Sequence, residues 1–156
     1  MLNSSLLRPP IFAAENMEIA IRSIRALIVE DHFLSRQMIT VALREKGVTN
    51  LEATSDGKQA LAIIENARIA GRPFHVVFLD WEMPVMNGID VLKYFRAKPD
   101  YTNTAFVMVT AVAEQKLVMD AVKSGATGYV VKPVSQTSIG KKFDEIYAWL
   151  KARPEA

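Results

Sequence analysis

Apolar residues along this chain follow two alternating rhythms: short continuous runs, and longer stretches with apolar positions three or four residues apart. The most compact run is residues 75–79, apolar and β-branched apart from His75, enough for a strand covered on both faces of a parallel sheet. Arg25–Val29 (RALIV), residues 104–109 (TAFVMV) and Thr127–Val131 read the same way, and Thr49–Thr54 reads as a short second strand. Helices are expected between them. Met38, Val41, Ala42 and Leu43 fall near helical spacing, and Leu61, Ile64 and Ile69 are expected to form the buried side of the next helix. Ile89, Leu92 and Phe95 mark a third helix over residues 88–97, residues 113–124 form a fourth, and Ile139, Phe143, Ile146 and Leu150 form one stripe of a fifth.

The punctuation agrees with these boundaries. Asp56 and Ser135 are placed to cap helices, while Gly47, Gly71, Pro73, Pro99 and Gly125 stop them. Pro84 and Asn87-Gly88 turn the chain after the central strand. Gly140 inside the last helix costs about 1 kcal/mol relative to Ala, so a loose first turn is expected. Strand then helix, five times over with short connections, predicts an α/β domain with a parallel sheet and helices on both faces. The domain is expected to span residues 23–152; residues 1–22 are an N-terminal extension, loose or with a short helix over Ala13–Arg22, Met17 being an alternative translation start, and residues 153–156 are a tail.

Composition narrows the class without naming it. A length of 156 residues, half of them apolar, suits one domain with a proper core. A formal net charge of +2, with no run of Lys and Arg, argues against nucleic acid as a partner. The absence of cysteine removes disulfide, thiol and Cys-metal chemistry. Arg8, Pro9 and Pro10 interrupt any secretory core, and no apolar stretch reaches the length of a membrane span, so a cytoplasmic protein without membrane insertion is expected.

The candidate chemistry lies where the strands stop. Glu30-Asp31 follow the first strand, Asp80 the third, Thr110 the fourth and Lys132 the fifth. In a parallel sheet these ends share one edge, where open α/β sheets bind ligands. Like-charged carboxylates at ~4 Å cost on the order of 4 kcal/mol per pair at an effective dielectric near 20. Such a group takes up a proton or a cation. Hard oxygen donors favour Mg²⁺, which welcomes phosphate oxygens, and Lys132 and Thr110 add a positive charge and a hydroxyl. An aspartate in that setting is equipped to attack phosphorus.

Several motifs stand in one order: Glu30-Asp31, DGKQAL at 56–61, DWEMPVMNG at 80–88, VTA at 109–111 and GATGYVVKP at 125–133. Together they make the chain, from about Arg25 to Lys151, resemble the receiver domain of bacterial two-component response regulators. The resemblance implies the flavodoxin-like, CheY-like fold with strand order 2-1-3-4-5. It implies that Asp80 is the phospho-acceptor, that Asp31, Asp80 and the Glu82 backbone carbonyl ligate Mg²⁺, and that Glu30 acts through water. Thr110 then corresponds to the switch hydroxyl, Lys132 to the lysine paired with the phosphoryl group and Tyr129 to the aromatic that turns inward. A cis Lys132-Pro133 bond is implied as well.

Implied partners are a sensor histidine kinase or histidine phosphotransfer protein and a downstream target on the fourth helix, fifth strand and fifth helix. The protein is then no conventional enzyme, though it helps catalyse its own phosphorylation and dephosphorylation. The chain ends soon after the fifth helix, so no output domain is expected. The alternative is a phosphorylation-independent adaptor; a phosphoaspartyl hydrolase is disfavoured by Glu82, where such an enzyme has Asp.

Other residues receive ordinary readings. His75 is expected in the core or against a helix, and His32, without a second His at metal spacing, is expected to have no chemical role. Met83, Met86, Met108 and Met119 are expected to pack, and Trp149 to pack partially. Trp81 is expected to shield the site or report on it. In similar receiver domains the positions of Glu82 and Val112 influence how easily water reaches the acyl phosphate.

Overall fold

The computed structural model describes residues 19–111 and 114–153. Its frame is a parallel sheet in the order β2-β1-β3-β4-β5, built from β1 (Arg25–Val29), β2 (Asn50–Thr54), β3 (Val76–Asp80), β4 (Ala105–Thr110) and β5 (Gly128–Val131). The helices are α1 (Phe33–Glu45), α2 (Gly57–Ile69), α3 (Gly88–Arg96), α4 (Gln115–Lys123) and α5 (Gln136–Lys151). This is the expected doubly wound arrangement, with strand limits shifted by a residue.

Each strand alternates its side chains between two cores. On one face Ala26, Ile28, Val76, Phe78, Val107 and Val109 meet α1 and α5; on the other Leu27, Val29, Val77, Leu79, Phe106 and Met108 meet α2, α3 and α4. Every residue of β3 and β4 is buried, as their near-continuous apolar sequence requires. Burial of a side chain such as Phe78 stabilises the fold by roughly 1.5–3 kcal/mol.

The helix ends obey the local chemistry. Asp56 accepts from the backbone N–H groups of Lys58 and Gln59, and Ser135 and Ser138 form a reciprocal capping box. That box closes the first turn of α5, where Gly140 had suggested looseness. Gly140 is buried, and a Cβ there would sit 3.1 Å from Lys46 Cε of the loop after α1.

Some helix faces differ from expectation. In α1 the buried set is Ile39, Ala42 and Leu43, whereas Met38 and Val41 are substantially exposed. Ile69 is 83% exposed, because it lies about 140° around α2 from Ile64, off the face that buries Gly57, Ala60 and Ile64. Met119 is also exposed, contrary to a packing role. His75 is half-buried, and its Nδ1 accepts from the Arg25 backbone N–H at 2.9 Å, fixing the start of β1 against β3. Trp149 packs partly against the α1/α5 core, with the Arg153 guanidinium 3.9 Å from its ring centre.

Residues 1–18, which hold most of the N-terminal extension, lie outside the described residues, as do Val112, Ala113 and residues 154–156. Ile19 and Ile21 pack on the α1/α5 core, and Tyr147 Oη donates to the Ile19 carbonyl at 2.9 Å.

Candidate functional site

Strand register assembles the site. β1 and β3 pair in parallel up to Val29 and Leu79, so the next residues, Glu30 and Asp80, emerge side by side. Asp80 pairs with Val109 on β4, placing Thr110 one step further along the same edge. Thr110 in turn pairs with Val131, and the Lys132 N–H donates to the Thr110 carbonyl at 2.7 Å. Four strand ends thus deliver two acids, a hydroxyl and a lysine to one place.

Lys132 is the link between the acids. Its Nζ lies 3.0 Å from Glu30 Oε1, donates to Glu30 Oε2 at 3.1 Å, and lies 3.3 Å from Asp80 Oδ1. Glu30 and Asp80 are only 1% and 3% exposed, so neither can rely on water for its charge. The Lys132-Pro133 bond is cis. The Glu30 carbonyl accepts from Arg36 Nη1 at 2.8 Å, and Glu30 Oε2 also accepts from the His32 backbone N–H at 3.1 Å. Asp31 is the more accessible acid, its side chain 32% exposed.

One ligand atom from each of Glu30, Asp31, His32 and Asp80 lies within 4.8 Å of the others. The sequence reading left His32 aside; the structure sets its Nδ1 3.8 Å from Asp31 Oδ1 and 4.0 Å from Glu30 Oε2. No spacing rule reveals this, because the contact depends on how the chain enters α1.

Three carboxylates facing one ammonium leave negative charge in excess. The Asp80 carboxyl is pushed up to about 8, first by burial and then by its Glu30 and Asp31 neighbours, while Lys132 pulls the other way. Burial alone would lower Lys132, but its contacts with Glu30 and Asp80 outweigh that and raise it. Asp80 Oδ2 has no hydrogen-bond partner among the described residues, and Glu30 Oε1 faces Lys132 outside hydrogen-bonding alignment. A buried, unpartnered oxygen amid hard oxygen donors fits a small divalent cation.

The remaining candidates surround this cluster. Thr110 is buried at the tip of β4. Tyr129 pairs with Met108 and packs against the core under α3 and α4, where burial raises its phenol. Two-residue alternation puts Thr110 and Tyr129 on the same face of neighbouring strands. Glu82, two residues after Asp80, lines a cleft of about 510 Å³ with Trp81, Met83, Pro84, Asn87 and Leu117. Trp81 is partly buried against the core beneath that cleft.

Close backbone approach fixes the loop after Asp80. A Cβ on Gly88 would overlap the Asp80 carbonyl oxygen, so only glycine lets α3 start there. Val85 takes φ 69, a left-handed conformation unfavourable for a β-branched residue.

Two groups of exposed large apolar residues stand out by element. Phe33, Leu34, Met38 and Val41 lie on α1, and Met119, Val122 and Val131 on α4 and β5. The α1 patch was hidden in the sequence because apolar residues occupy more of that helix than one stripe needs.

A family model described as the response regulator receiver domain matches residues 26–144. The chain is 34% identical over 123 residues to the chemotaxis protein CheY of Pseudomonas aeruginosa, spanning 79% of this chain and 95% of that protein. It is 32% identical over 126 residues to chemotaxis protein CheY-3 of Vibrio cholerae, spanning 81% and 93%. Among solved structures, chemotaxis response regulator CheY4 of Vibrio cholerae superposes with a TM-score of 0.70 at 31% identity, covering 79% of this chain and 98% of that one. No described helix is long and apolar enough to cross a membrane. Matched segment, strand order and acidic cleft agree: the chain belongs to the response regulator receiver domain family of two-component signalling.

Proposed function

We propose that the protein is a single-domain, cytoplasmic response regulator that accepts a phosphoryl group on Asp80, with Mg²⁺, from a histidine kinase or histidine phosphotransfer protein. The observation that carries this is Lys132 held between buried Glu30 and Asp80, with an unpartnered Asp80 oxygen beside it. Asp31, Asp80 and the Glu82 carbonyl would hold the ion, with Glu30 acting through water. When bound, the cation supplies the positive charge that lets Asp80 ionise near neutral pH and offsets charge on phosphoryl oxygens.

An Asp80 oxygen attacks phosphorus in line as the phosphorus–nitrogen bond of the donor breaks. The departing imidazole takes the bonding electron pair and picks up a proton. Lys132, already 3.3 Å from Asp80, meets one peripheral oxygen, and the Thr110 hydroxyl donates to another. The acyl phosphate adds about −1.5 to −2 charge at the strand edge. Thr110 is drawn toward it, and Tyr129, on the same face of the next strand, fills the space released. A population already sampling both arrangements is thereby biased.

The exposed patch on α1 lies beside the acids and suits the phosphodonor; the patch of Met119, Val122 and Val131 on α4 and β5 suits a downstream target that also contacts α5. The test is intact mass and Trp81 fluorescence after incubation with Mg²⁺ and a small phosphodonor or beryllofluoride. A Mg²⁺-dependent adduct of one phosphate, absent in Asp80→Asn, supports the reading. No adduct favours a phosphorylation-independent adaptor, and sustained turnover of a phosphoester favours a hydrolase.

A further inference from the structure

We propose that His32 is a fourth protein ligand of the acidic pocket, giving it a nitrogen donor and a preference for divalent transition-metal ions such as Co²⁺ and Zn²⁺ over Mg²⁺. The inference rests on the reading of this pocket as a cation site and goes beyond it in saying which ion the chain selects.

Placement comes first. His32 is the residue at which the chain enters α1, and its backbone N–H is tied to Glu30 Oε2 at 3.1 Å. The ring therefore rises from a fixed base at the mouth of the pocket. Its Nδ1 is 3.8 Å from Asp31 Oδ1 and 4.0 Å from Glu30 Oε2, and a ligand atom of Asp80 completes a group no more than 4.8 Å across. Donors bound to one ion at about 2.0–2.2 Å lie roughly 3 Å apart when adjacent and roughly 4.2 Å apart when opposite. Bringing His32 Nδ1 from 3.8 Å to the roughly 3 Å of adjacent donors beside Asp31 takes less than an ångström, with Glu30 still acting through water.

A second observation points to a ligand independently of the acids' proximity. Asp80 is 3% exposed, yet its Oδ2 has no hydrogen-bond partner among the described residues. A buried oxygen left in that state calls for an electrophile inside the cluster. The His32 side chain is 75% exposed, so rotating its imidazole inward displaces water rather than core packing.

Donor chemistry sets the selectivity. Mg²⁺ prefers oxygen donors and retains its waters, so exchanging a water for imidazole gains it little. Imidazole suits Co²⁺, Ni²⁺ and Zn²⁺, whose affinities for nitrogen-containing sites rise along the first row before falling at Zn²⁺. His32 should therefore strengthen the later ions selectively.

The experiment titrates wild type, His32→Ala and Asp80→Asn with Mg²⁺, Co²⁺ and Zn²⁺, following heat and Trp81 fluorescence. The Co²⁺ absorption spectrum provides a ligand-sensitive readout. Expected for His32→Ala is a loss of about tenfold or more in Co²⁺ and Zn²⁺ affinity, a changed Co²⁺ spectrum, and Mg²⁺ affinity within about twofold of wild type. Unchanged Mg²⁺ binding also shows that the variant retains its fold. Equal Co²⁺ and Zn²⁺ affinities in wild type and His32→Ala, with Asp80→Asn still impaired, would overturn the role of His32 and leave the cation pocket standing. Ion binding indifferent to Asp80→Asn would overturn both.

Discussion

Replacing Asp80 with asparagine should stabilise the metal-free protein, and the gain should grow with pH. In the fold the carboxyl is pushed from 3.8 up to about 8, chiefly by burial and then by Glu30 and Asp31. A group that is easier to protonate when folded than when unfolded contributes most below its unfolded value. That contribution declines as pH rises from about 4 toward 8, because the unfolded chain ionises freely while the folded one resists. Between pH 5 and 8 the shift corresponds to at most about 4 kcal/mol, at roughly 1.4 kcal/mol per unit. The shift already contains the attraction to Lys132 at 3.3 Å, so the gap is expected to grow by at least about 2 kcal/mol over that range.

For a chain of this length, that corresponds to about 4–8 °C in Tm. The assay is thermal and urea unfolding by circular dichroism in EDTA at pH 5, 6, 7 and 8, wild type against Asp80→Asn. Saturating Mg²⁺ should then raise the wild type more than the variant, because a ligand stabilises only the folded state that binds it. A variant no more stable than wild type at pH 8 in EDTA, or a gap independent of pH, would refute the electrostatic account of the pocket.

Three further outcomes are expected. Thr110→Ala should still accept phosphate but bind a downstream partner about tenfold more weakly when phosphorylated, a bias of about 1.4 kcal/mol; equal affinity of the two phosphorylated forms defeats the switch. Gly88→Ala should cost about 3 kcal/mol in urea unfolding and lower the yield of acyl phosphate, because its Cβ would overlap the Asp80 carbonyl. Val85→Asn, at φ 69 and 87% exposed, should gain about 1 kcal/mol with phosphorylation unchanged, since asparagine tolerates the left-handed region; a loss of stability counts against strain at that position.

The sheet was legible because β1, β3, β4 and β5 are short apolar runs that each stop at a polar residue, and the cluster was legible because parallel strands put those stops on one edge. What the runs do not encode is register. Only the pairing of Val29 with Leu79 makes Glu30 and Asp80 neighbours, and only that of Thr110 with Val131 brings Lys132 alongside. Helix faces were less legible for a different reason. In α1, apolar residues outnumber the positions one stripe can hold, and contact with β1 and α5 selects Ile39, Ala42 and Leu43 over Met38 and Val41. Ile69 falls outside the 57, 60, 64 spacing that α2 buries, although it is apolar. The nearness of His32 to the acids was not legible because it belongs to the entry into α1, with no counterpart in ligand spacing.

The helices are not held equally, and the difference bears on how a charge at Asp80 would be felt elsewhere. α3 buries Gly88, Val91, Leu92 and Phe95, and α5 buries Ile139, Gly140, Phe143, Ile146 and Leu150, whereas α4 buries Ala121 alone. Leu117 and Val118 are only half-buried, while Met119 and Val122 face outward. Shifting α4 therefore breaks few apolar contacts, while shifting α3 or α5 would open a core. α4 also follows directly from the segment after Thr110 and shares its core with Tyr129. In the proposed switch, a small movement of Thr110 and Tyr129 would thus be spent on the one helix cheap enough to move, whose exposed apolar residues are the surface a partner would read.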